Sequence, residues 1–517
     1  MTGPFADALR LLPDYLGSHV LLSALALALG TLVAIPLAVA AARRPRLRIG
    51  ALTVASLLQT IPSLALLALF YPLLLGLSAL ISPVTGLSIP ALGFLPSVLA
   101  LTLYSILPVL RNTIVGLEGL DPTTLAAADA VGMTPRQRFL RVEVPLAAPS
   151  AMAGIRTAAV WTIGAATLST SVGQTSLGNY IFTGLQTENW TFVLFGCAAA
   201  AAAAFVTDQL LGVVETGVTR RDRKRILFGL GSLAAGTIAA LVPLTVGGSA
   251  TYRVGAKNFS EQFILADLIV QQIEAAGAAA SRIENLGSAV VFRALAGNDI
   301  DVYVDYTGTL WTNVLGRTDL LPKETLRAEL SQALSEKYGV RLLGALGFEN
   351  AYVLAMRPDR ATTLGVRTIA DLARFAPRLT LGADLEFLSR PEWRALSAAY
   401  GLDFARTRSF SPTLMYRAIE DGSVDVISAF SSDGRIAADG LMVLDDPKHV
   451  TPNYDAVLLI APKRSADARL LDALQPLIGK ITLDAMRKAN LMVDRDTGKA
   501  SPREAAHGLG GSVGLRE

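Results

Sequence analysis

Long apolar runs dominate the first half of the chain and stop near residue 246. A helix needs about 20 mostly apolar residues to cross a bilayer. Six stretches reach that length, at about 18–42, 51–80, 92–115, 150–171, 191–216 and 226–247, and predict six spans. The second is long enough to tilt or to include an interfacial piece, and Pro62 and Pro72 are expected to kink it. From residue 252 the pattern changes. Short runs suited to strands, at 301–306, 351–356, 379–382, 424–430 and 456–460, alternate with stretches of helical spacing. The opening YRVGAKNFSEQFILADLIVQQIEAAG reads as strand, turn, helix, with Tyr252 to Gly255 extended and Asn258 or Ser260 as the cap. Such alternation predicts an α/β fold with mostly parallel sheets.

Composition agrees with this division. At 517 residues the chain is too long for one ordinary domain, and its 52% hydrophobic and 17% charged content is ordinary for a membrane protein. We expect a membrane domain over 1–250 and a soluble domain over 251–517. The first apolar run follows Asp7 and Asp14 and lacks the basic flank of a cleaved signal, so it is read as a retained span. The net charge of +3 is spread over short basic patches, which argues against a nucleic-acid partner. A lone cysteine, Cys197, excludes a disulfide framework within the chain and is expected to be a small buried apolar residue. The histidines His19, His449 and His507 lie in unrelated settings, and no metal site is predicted.

Lys and Arg in the loops set the orientation. Arg43, Arg44, Arg46 and Arg48 follow the first predicted span. Arg136, Arg138 and Arg141 follow the third; Arg220, Arg221, Arg223, Lys224 and Arg225 follow the fifth. The intervening loops, 81–91 and 172–190, contain neither. The basic loops are therefore expected in the cytoplasm, and residues 251–517 outside a bacterial inner or cell membrane.

The segment 121–149, DPTTLAAADAVGMTPRQRFLRVEVPLAAP, reads as helix–turn–helix. Asp121-Pro122 starts the first helix, Gly132 permits the turn, Thr134-Pro135 starts the second, and Pro145 is expected to end it. The plain reading is an amphipathic surface helix. The segment also resembles the coupling loop of ABC importer permeases, with Ala127, Ala128, Gly132 and Val144-Pro145 at matching places and Ala126 where Glu is usual. The resemblance extends to Gln59-Thr60-Ile61-Pro62-Ser63, LTLYSILPVLRNTIVGL at 101–117 and IGAATLSTSVGQTSLGNYIFTGL at 163–185, similar to osmoprotectant permeases. It implies a homodimeric permease and a cytoplasmic ABC ATPase as partner. No G-x-x-x-x-G-K-[ST] occurs, so ATP is expected on that separate protein, with no cofactor on this chain.

The soluble part resembles two-lobed, periplasmic-type binding proteins for glycine betaine, carnitine and choline. The likeness is carried by GAKNFSEQ at 255–262, YVDYTGT at 303–309, GFENAY at 347–352, LMYRAIEDGSVDVISAFSSDGRI at 414–436 and LDDPKHVTPNY at 444–454. It implies one lobe of about 252–354 plus 457–517, a second of about 355–456, and ligand in the cleft between them.

A quaternary ammonium group offers no N–H, so proteins hold it between aromatic faces, each contributing roughly 0.5–2 kcal/mol when desolvated. Tyr306, Tyr352, Tyr416 and Tyr454 fall within the resembling motifs, near strand ends or loops, and are the expected cage. Any one tyrosine taken alone is more often a core or surface ring. Tyr303 points to the other strand face and is read as packing. Asn258, Gln262 and Thr309, with helix-start N–H groups near 260, are the expected donors to the other end of the ligand. Arg435 is expected to pair with Asp433. Asp305 and Glu386 lack a nucleophile–base arrangement around them, so no enzyme is predicted.

The expected function is import of a quaternary-ammonium osmoprotectant. Another betaine such as ergothioneine is the alternative substrate. A ligand-gated channel or sensor is the alternative of a different class, disfavoured by six spans and a coupling-type loop.

Overall fold

The computed structural model describes residues 4–85, 89–187, 189–246, 252–450, 453–495 and 497–515. The domain boundary expected at 250/251 and Thr451-Pro452 of the last motif lie outside them. Contacts divide the chain into two units: Ala8–Phe182 with Phe192–Gly248, and Ser249–Glu517 with two short stretches, Met1–Asp7 and Thr183–Thr191.

The first unit is helical: α1 (Pro4–Ala42), α2 (Pro45–Thr60), α3 (Ser63–Thr85), α4 (Phe94–Glu118), α5 (Pro122–Ala130), α6 (Pro135–Arg138), α7 (Val144–Ala166), α8 (Gly178–Gln186), α9 (Trp190–Thr219) and α10 (Arg223–Val246). Among the described residues four helices are long and apolar enough to cross a membrane: Phe5–Ala42, Phe94–Glu118, Trp190–Thr219 and Arg223–Pro243. A fifth is formed if α2 and α3 count as one broken span. The stretch expected as a continuous span at 51–80 bends by 100° between these helices. Ile61 precedes Pro62 and takes φ −69°, ψ 125°, because the proline ring disfavours helical backbone at the residue before it. The carbonyl of Ile61 accepts from the Tyr104 hydroxyl, which satisfies one backbone group freed by the break. The stretch expected at 150–171 is α7 continuing into a 3-10 turn, Thr167–Val172; it is not among the four, and it carries Arg156, paired with Asp208 at 2.5 Å and Glu215 at 3.3 Å.

Close approach between α4 and α7 depends on missing side chains. A Cβ on Gly154 would lie 2.7 Å from the Pro108 carbonyl oxygen, and one on Gly116 2.7 Å from the Ser150 Cβ. With lipid as apolar as leucine, such dispersion contact is what holds the helices together. Cys197, expected to be buried, is exposed on α9.

The second unit contains two five-stranded sheets, ordered β2-β1-β3-β10-β4 and β7-β6-β8-β5-β9. The first comprises β1 (Tyr252–Lys257), β2 (Ala280–Leu286), β3 (Val302–Tyr306), β4 (Arg341–Glu349) and β10 (Asp455–Ile460). The second comprises β5 (Tyr352–Met356), β6 (Thr380–Ala383), β7 (Arg406–Ser409), β8 (Val426–Phe430) and β9 (Met442–Val443). The sheets are mixed rather than mostly parallel. β1, β2 and β3 pair in parallel and β10 runs antiparallel to β3 and β4; β6, β7 and β8 pair in parallel and β5 runs antiparallel to β8 and β9. Each antiparallel strand enters its sheet where the chain passes from one lobe to the other, without the helical crossover that parallel neighbours require. Behind the first sheet, α11 (Ser260–Ala275) buries nearly every face, packed against the helices Leu483–Asp494 and Pro502–Ser512. Its cap is Phe259, in extended conformation, rather than Asn258 or Ser260.

Candidate functional site

The two lobes enclose a cleft of about 620 Å³. The first lobe lines it from strand ends. β1 delivers Lys257, Asn258 and Phe259 before α11 begins, and β3 delivers Tyr306 before the short helical turn Thr307–Thr309. That turn packs against Tyr454: a Cβ on Gly308 would lie 2.7 Å from the Tyr454 ring, so the ring can stand here only beside glycine. The second lobe adds Tyr352 and Phe430, facing partners in β5 and β8, and the segment Asp384, Leu385, Glu386 and Arg390.

Five rings face one space. Phe259 stacks on Phe430 with centroids 6.0 Å apart and on Tyr306 at 6.4 Å. Tyr352 lies 4.8 Å from Phe430 and meets Tyr454 edge-on at 6.1 Å. The tyrosine hydroxyls are tied behind the rings. Tyr306 donates to Glu261 at 2.6 Å and Tyr454 to Glu392 at 2.6 Å. Burial pushes the phenols of Tyr306, Tyr352 and Tyr454 well up, so they remain neutral and present π faces rather than charge.

Beside the rings lies a charged corner. Arg390 is 4% exposed. It binds Glu386 at 2.5 Å, donates to the Thr309 hydroxyl at 3.2 Å and approaches Glu392 at 3.5 Å, with its guanidinium 5.2 Å from the Tyr352 centroid. Burial opposes its charge, but the surrounding tyrosines and carboxylates more than offset that, and its affinity for the proton is raised. Burial also pushes the Asp384 carboxyl up; its one bonded oxygen caps the helix Leu385–Ser389 through Phe387 N–H at 2.8 Å. For Glu386 burial acts upward too, yet Arg390 and Lys257 hold it below the usual carboxylate range. Lys257 is neutralised by a buried ion pair with Asp305 at 2.5 Å. Aromatic faces next to a forked cation and a hydroxyl suit a molecule with a cation lacking N–H at one end and an anion at the other.

Of the residues expected here, Tyr306, Tyr352, Tyr454, Thr309 and Asn258 line the cleft. Gln262 does not; it stands behind, donating to the Tyr306 hydroxyl at 2.9 Å. Tyr416 lies elsewhere, which corrects its place in the cage. Its helix, Pro412–Glu420, turns Met415, Tyr416 and Ile419 into the second lobe's core, and the Arg435 guanidinium already covers the ring at 3.9 Å. Arg435 pairs with Asp433 at 2.8 Å, and Tyr303 is fully buried with its hydroxyl on Asp305. Phe259 and Phe430 were not anticipated, although both sit inside the quoted motifs; considering only tyrosines hid them. Arg390 gave a weaker signal, an arginine before Pro391 in the segment after a strand.

The segment 121–149 forms a braced pair of short helices. Asp121 caps α5 through Thr123 N–H at 3.0 Å, Gly132 turns with φ 79°, and Thr134 with Gln137 forms a capping box on α6. Arg138 bridges Asp129 at 2.6 Å and Glu143 at 2.9 Å. Ala128 is buried, Ala127 is exposed, and Val131 and Leu140 are exposed beside it. Pro145 does not end a helix. α6 runs through a π-helical turn, Phe139–Glu143, into α7, and Pro145 is the second residue of α7, directly after that turn.

Two family patterns match. Residues 250–508 match the substrate-binding domain of the ABC-type glycine betaine transport system, and residues 30–220 match the inner-membrane component of binding-protein-dependent transport systems. The chain is 28% identical over 485 residues to the ergothioneine transport permease/ergothioneine binding protein EgtU of Helicobacter pylori, covering 90% of this chain and 83% of that protein. It is 38% identical over 208 residues to the choline transport system permease protein OpuBB of Bacillus subtilis, covering 40% of this chain and 88% of that one. It is 30% identical over 257 residues to the carnitine transport binding protein OpuCC of Listeria monocytogenes, covering 48% and 83%. With both halves matched in one polypeptide, the chain belongs to the osmoprotectant ABC importer family, as a membrane permease fused to its glycine betaine/carnitine/choline-type substrate-binding domain.

Proposed function

We propose that this protein captures a zwitterionic quaternary-ammonium compound in the cleft of its second unit and passes it through its own permease. The observation carrying this reading is the five-ring wall beside Arg390 and Thr309. The trimethylammonium group lies against Tyr306, Phe259, Phe430, Tyr352 and Tyr454. The carboxylate takes the guanidinium of Arg390 and the hydroxyl of Thr309, with Asn258 at the rim. The lobes, expected at about 252–354 plus 457–517 and about 355–456 but with the second sheet starting at Tyr352 and the first resuming at Asp455, close over it. Residues 251–517 are extracytoplasmic and the basic loops cytoplasmic. Fusion keeps one binding domain at high effective concentration for each permease subunit, and a permease dimer carries two. A separate ABC ATPase docks on 121–149, through Ala127, Ala128, Gly132 and the exposed side chains beside them, and hydrolyses ATP to drive alternating access.

A larger betaine such as ergothioneine is the second reading. It is favoured by the likeness to EgtU, which extends through both halves of the chain.

Titration calorimetry of the full chain in nanodiscs with glycine betaine, choline, carnitine and ergothioneine tests both readings. Saturable binding of one or more names the cargo; binding of none by folded protein overturns the quaternary-ammonium assignment. Co-purification of a nucleotide-hydrolysing subunit, lost on replacing Gly132 by Val, tests the docking.

A further inference from the structure

Glu261 lies behind the cage, 3% exposed, and is not among the cleft-lining residues. It occupies the first turn of α11, where free backbone N–H groups favour a carboxylate. Burying a carboxylate is costly unless each lone pair finds a donor. Here three side chains converge on it. The Tyr306 hydroxyl reaches Oε1 at 2.6 Å, Asn350 Nδ2 reaches Oε1 at 2.9 Å, and Asn490 Nδ2 reaches Oε2 at 3.0 Å. These three donors come from different places. Tyr306 is a cage ring. Asn350 lies where the chain crosses from β4 to β5, and its N–H donates to the Tyr454 carbonyl at 3.0 Å. Asn490 belongs to the helix Leu483–Asp494 and also donates to the Ser432 carbonyl, in the second lobe, at 2.9 Å.

The same helix holds that turn of the second lobe at two further points. Arg487 Nε donates to the Ser431 carbonyl at 2.9 Å. Gly434 sits so close that a Cβ there would lie 2.4 Å from the Arg487 carbonyl oxygen. Ser431 and Ser432 directly follow the cage residue Phe430. One carboxylate thus joins, through single side chains, a ring on the first lobe to the turn behind a ring on the second.

We infer that Glu261 is a positioning residue that sets the Tyr306 ring according to the register of the two lobes, so that the cage is complete only when the lobes are correctly placed. This rests on the reading of the cleft as an aromatic cage.

The test is a double-mutant cycle on ligand affinity in the full chain in nanodiscs, using whichever of glycine betaine, choline, carnitine and ergothioneine the wild type binds most tightly. Glu261→Gln and Tyr306→Phe are each expected to weaken binding at least fivefold. The double variant is expected to be less than twofold weaker than either, because both remove the same link. Asn490→Ala, which cuts the arm to the second lobe but leaves Tyr306 untouched, is expected to weaken binding at least threefold. Losses that multiply in the double variant, or unchanged affinity in Glu261→Gln, overturn the proposal.

A second measurement needs no ligand. Spin labels at Glu336→Cys and Arg378→Cys in a Cys197→Ser background report the lobe-to-lobe distance distribution. Glu261→Gln is expected to broaden it, and an unchanged distribution overturns the proposal. A wild type that binds none of the four compounds, with a distribution that broadens in Glu261→Gln, refutes the assigned cargo while supporting the link.

Discussion

The two lobes build their shares of the cleft differently. The first lobe uses the ends of strands that lie side by side: β1 hands over Lys257, Asn258 and Phe259, and β3 hands over Tyr306 and Thr309. These positions are fixed by a sheet and a nearly fully buried helix, and a crevice at strand ends is where α/β folds bind ligands. The second lobe contributes its charge from a connection, Asp384 to Arg390, placed by a helix cap and by ion pairs. The first wall therefore stands on strand ends and sets an ion-paired lysine beside its rings, and the second adds two rings and a charged corner held by polar bonds. In the proposed mode of binding the cation's rings come from both lobes and the anion's counter-charge from the second alone.

Removing the counter-charge is the strongest way to break this division. Arg390→Ala is expected to lower affinity for carboxylate-bearing ligands at least 100-fold in titration calorimetry, since truncating a buried, bonded charge costs about 2–5 kcal/mol. Choline, with no carboxylate, is expected to lose less than tenfold. Arg390→Lys is expected to restore little, because an ammonium lacks the planar fork that meets Glu386 and Thr309 together. Equal losses for choline and carnitine would show that the corner only holds the fold.

Next in size is the ring that spans both kinds of surrounding. Tyr352→Ala is expected to weaken binding about tenfold, in line with roughly 0.5–2 kcal/mol for one desolvated cation–π face. Tyr352→Phe is expected to retain most of the affinity, as no hydroxyl bond is needed for the face to act.

The interior of the first lobe gives a smaller effect, read as pH dependence. Burial raises the Asp267 carboxyl to about 6, with Arg282 opposing and Glu284 adding to the rise. A carboxyl whose folded value lies above its unfolded value of 3.8 lends stability below about pH 4, and that contribution disappears as pH rises through 6. The thermal midpoint of the binding unit is expected to fall by ~3–6 °C more between pH 4 and 7 in the wild type than in Asp267→Asn. An identical slope in the two proteins would place the titration elsewhere. The smallest effect is expected at Tyr416: Tyr416→Leu, which removes the ring, should change the ligand affinity of folded protein less than twofold, because Arg435 covers that ring away from the cleft. A tenfold loss would return it to the cage.

The same contrast explains what was readable beforehand. Tyr306, Tyr352, Tyr454, Thr309 and Asn258 sit at strand ends or in motifs around them, and strand ends are marked locally by alternation and turn residues. Tyr416 shared a motif with Phe430 but not a direction. The helical spacing of Met415, Tyr416 and Ile419 turns it into the core, while Phe430 ends β8 and faces the cleft. Arg390 carried no periodic signal; Glu386 stands only four residues before it, but Thr309 meets it only through the folded cleft. Likewise Pro62 announced a distortion, but the 100° bend and the Tyr104 hydroxyl that satisfies it belong to packing.

Apolar run length, the change from continuous to alternating hydrophobicity, and the caps at Asp121 and Thr134 act over one or two helical turns, so the sequence alone determined a membrane part, an α/β part and a helix–turn–helix between spans. Which rings share one space, which charge stands beside them, and how Glu261 joins the lobes were decided only by tertiary structure. The bonds of Arg390 to Thr309 and of Glu261 to Asn350 and Asn490 join residues 81, 89 and 229 positions apart, and nothing local distinguishes a side chain that will meet such a partner from one that will not.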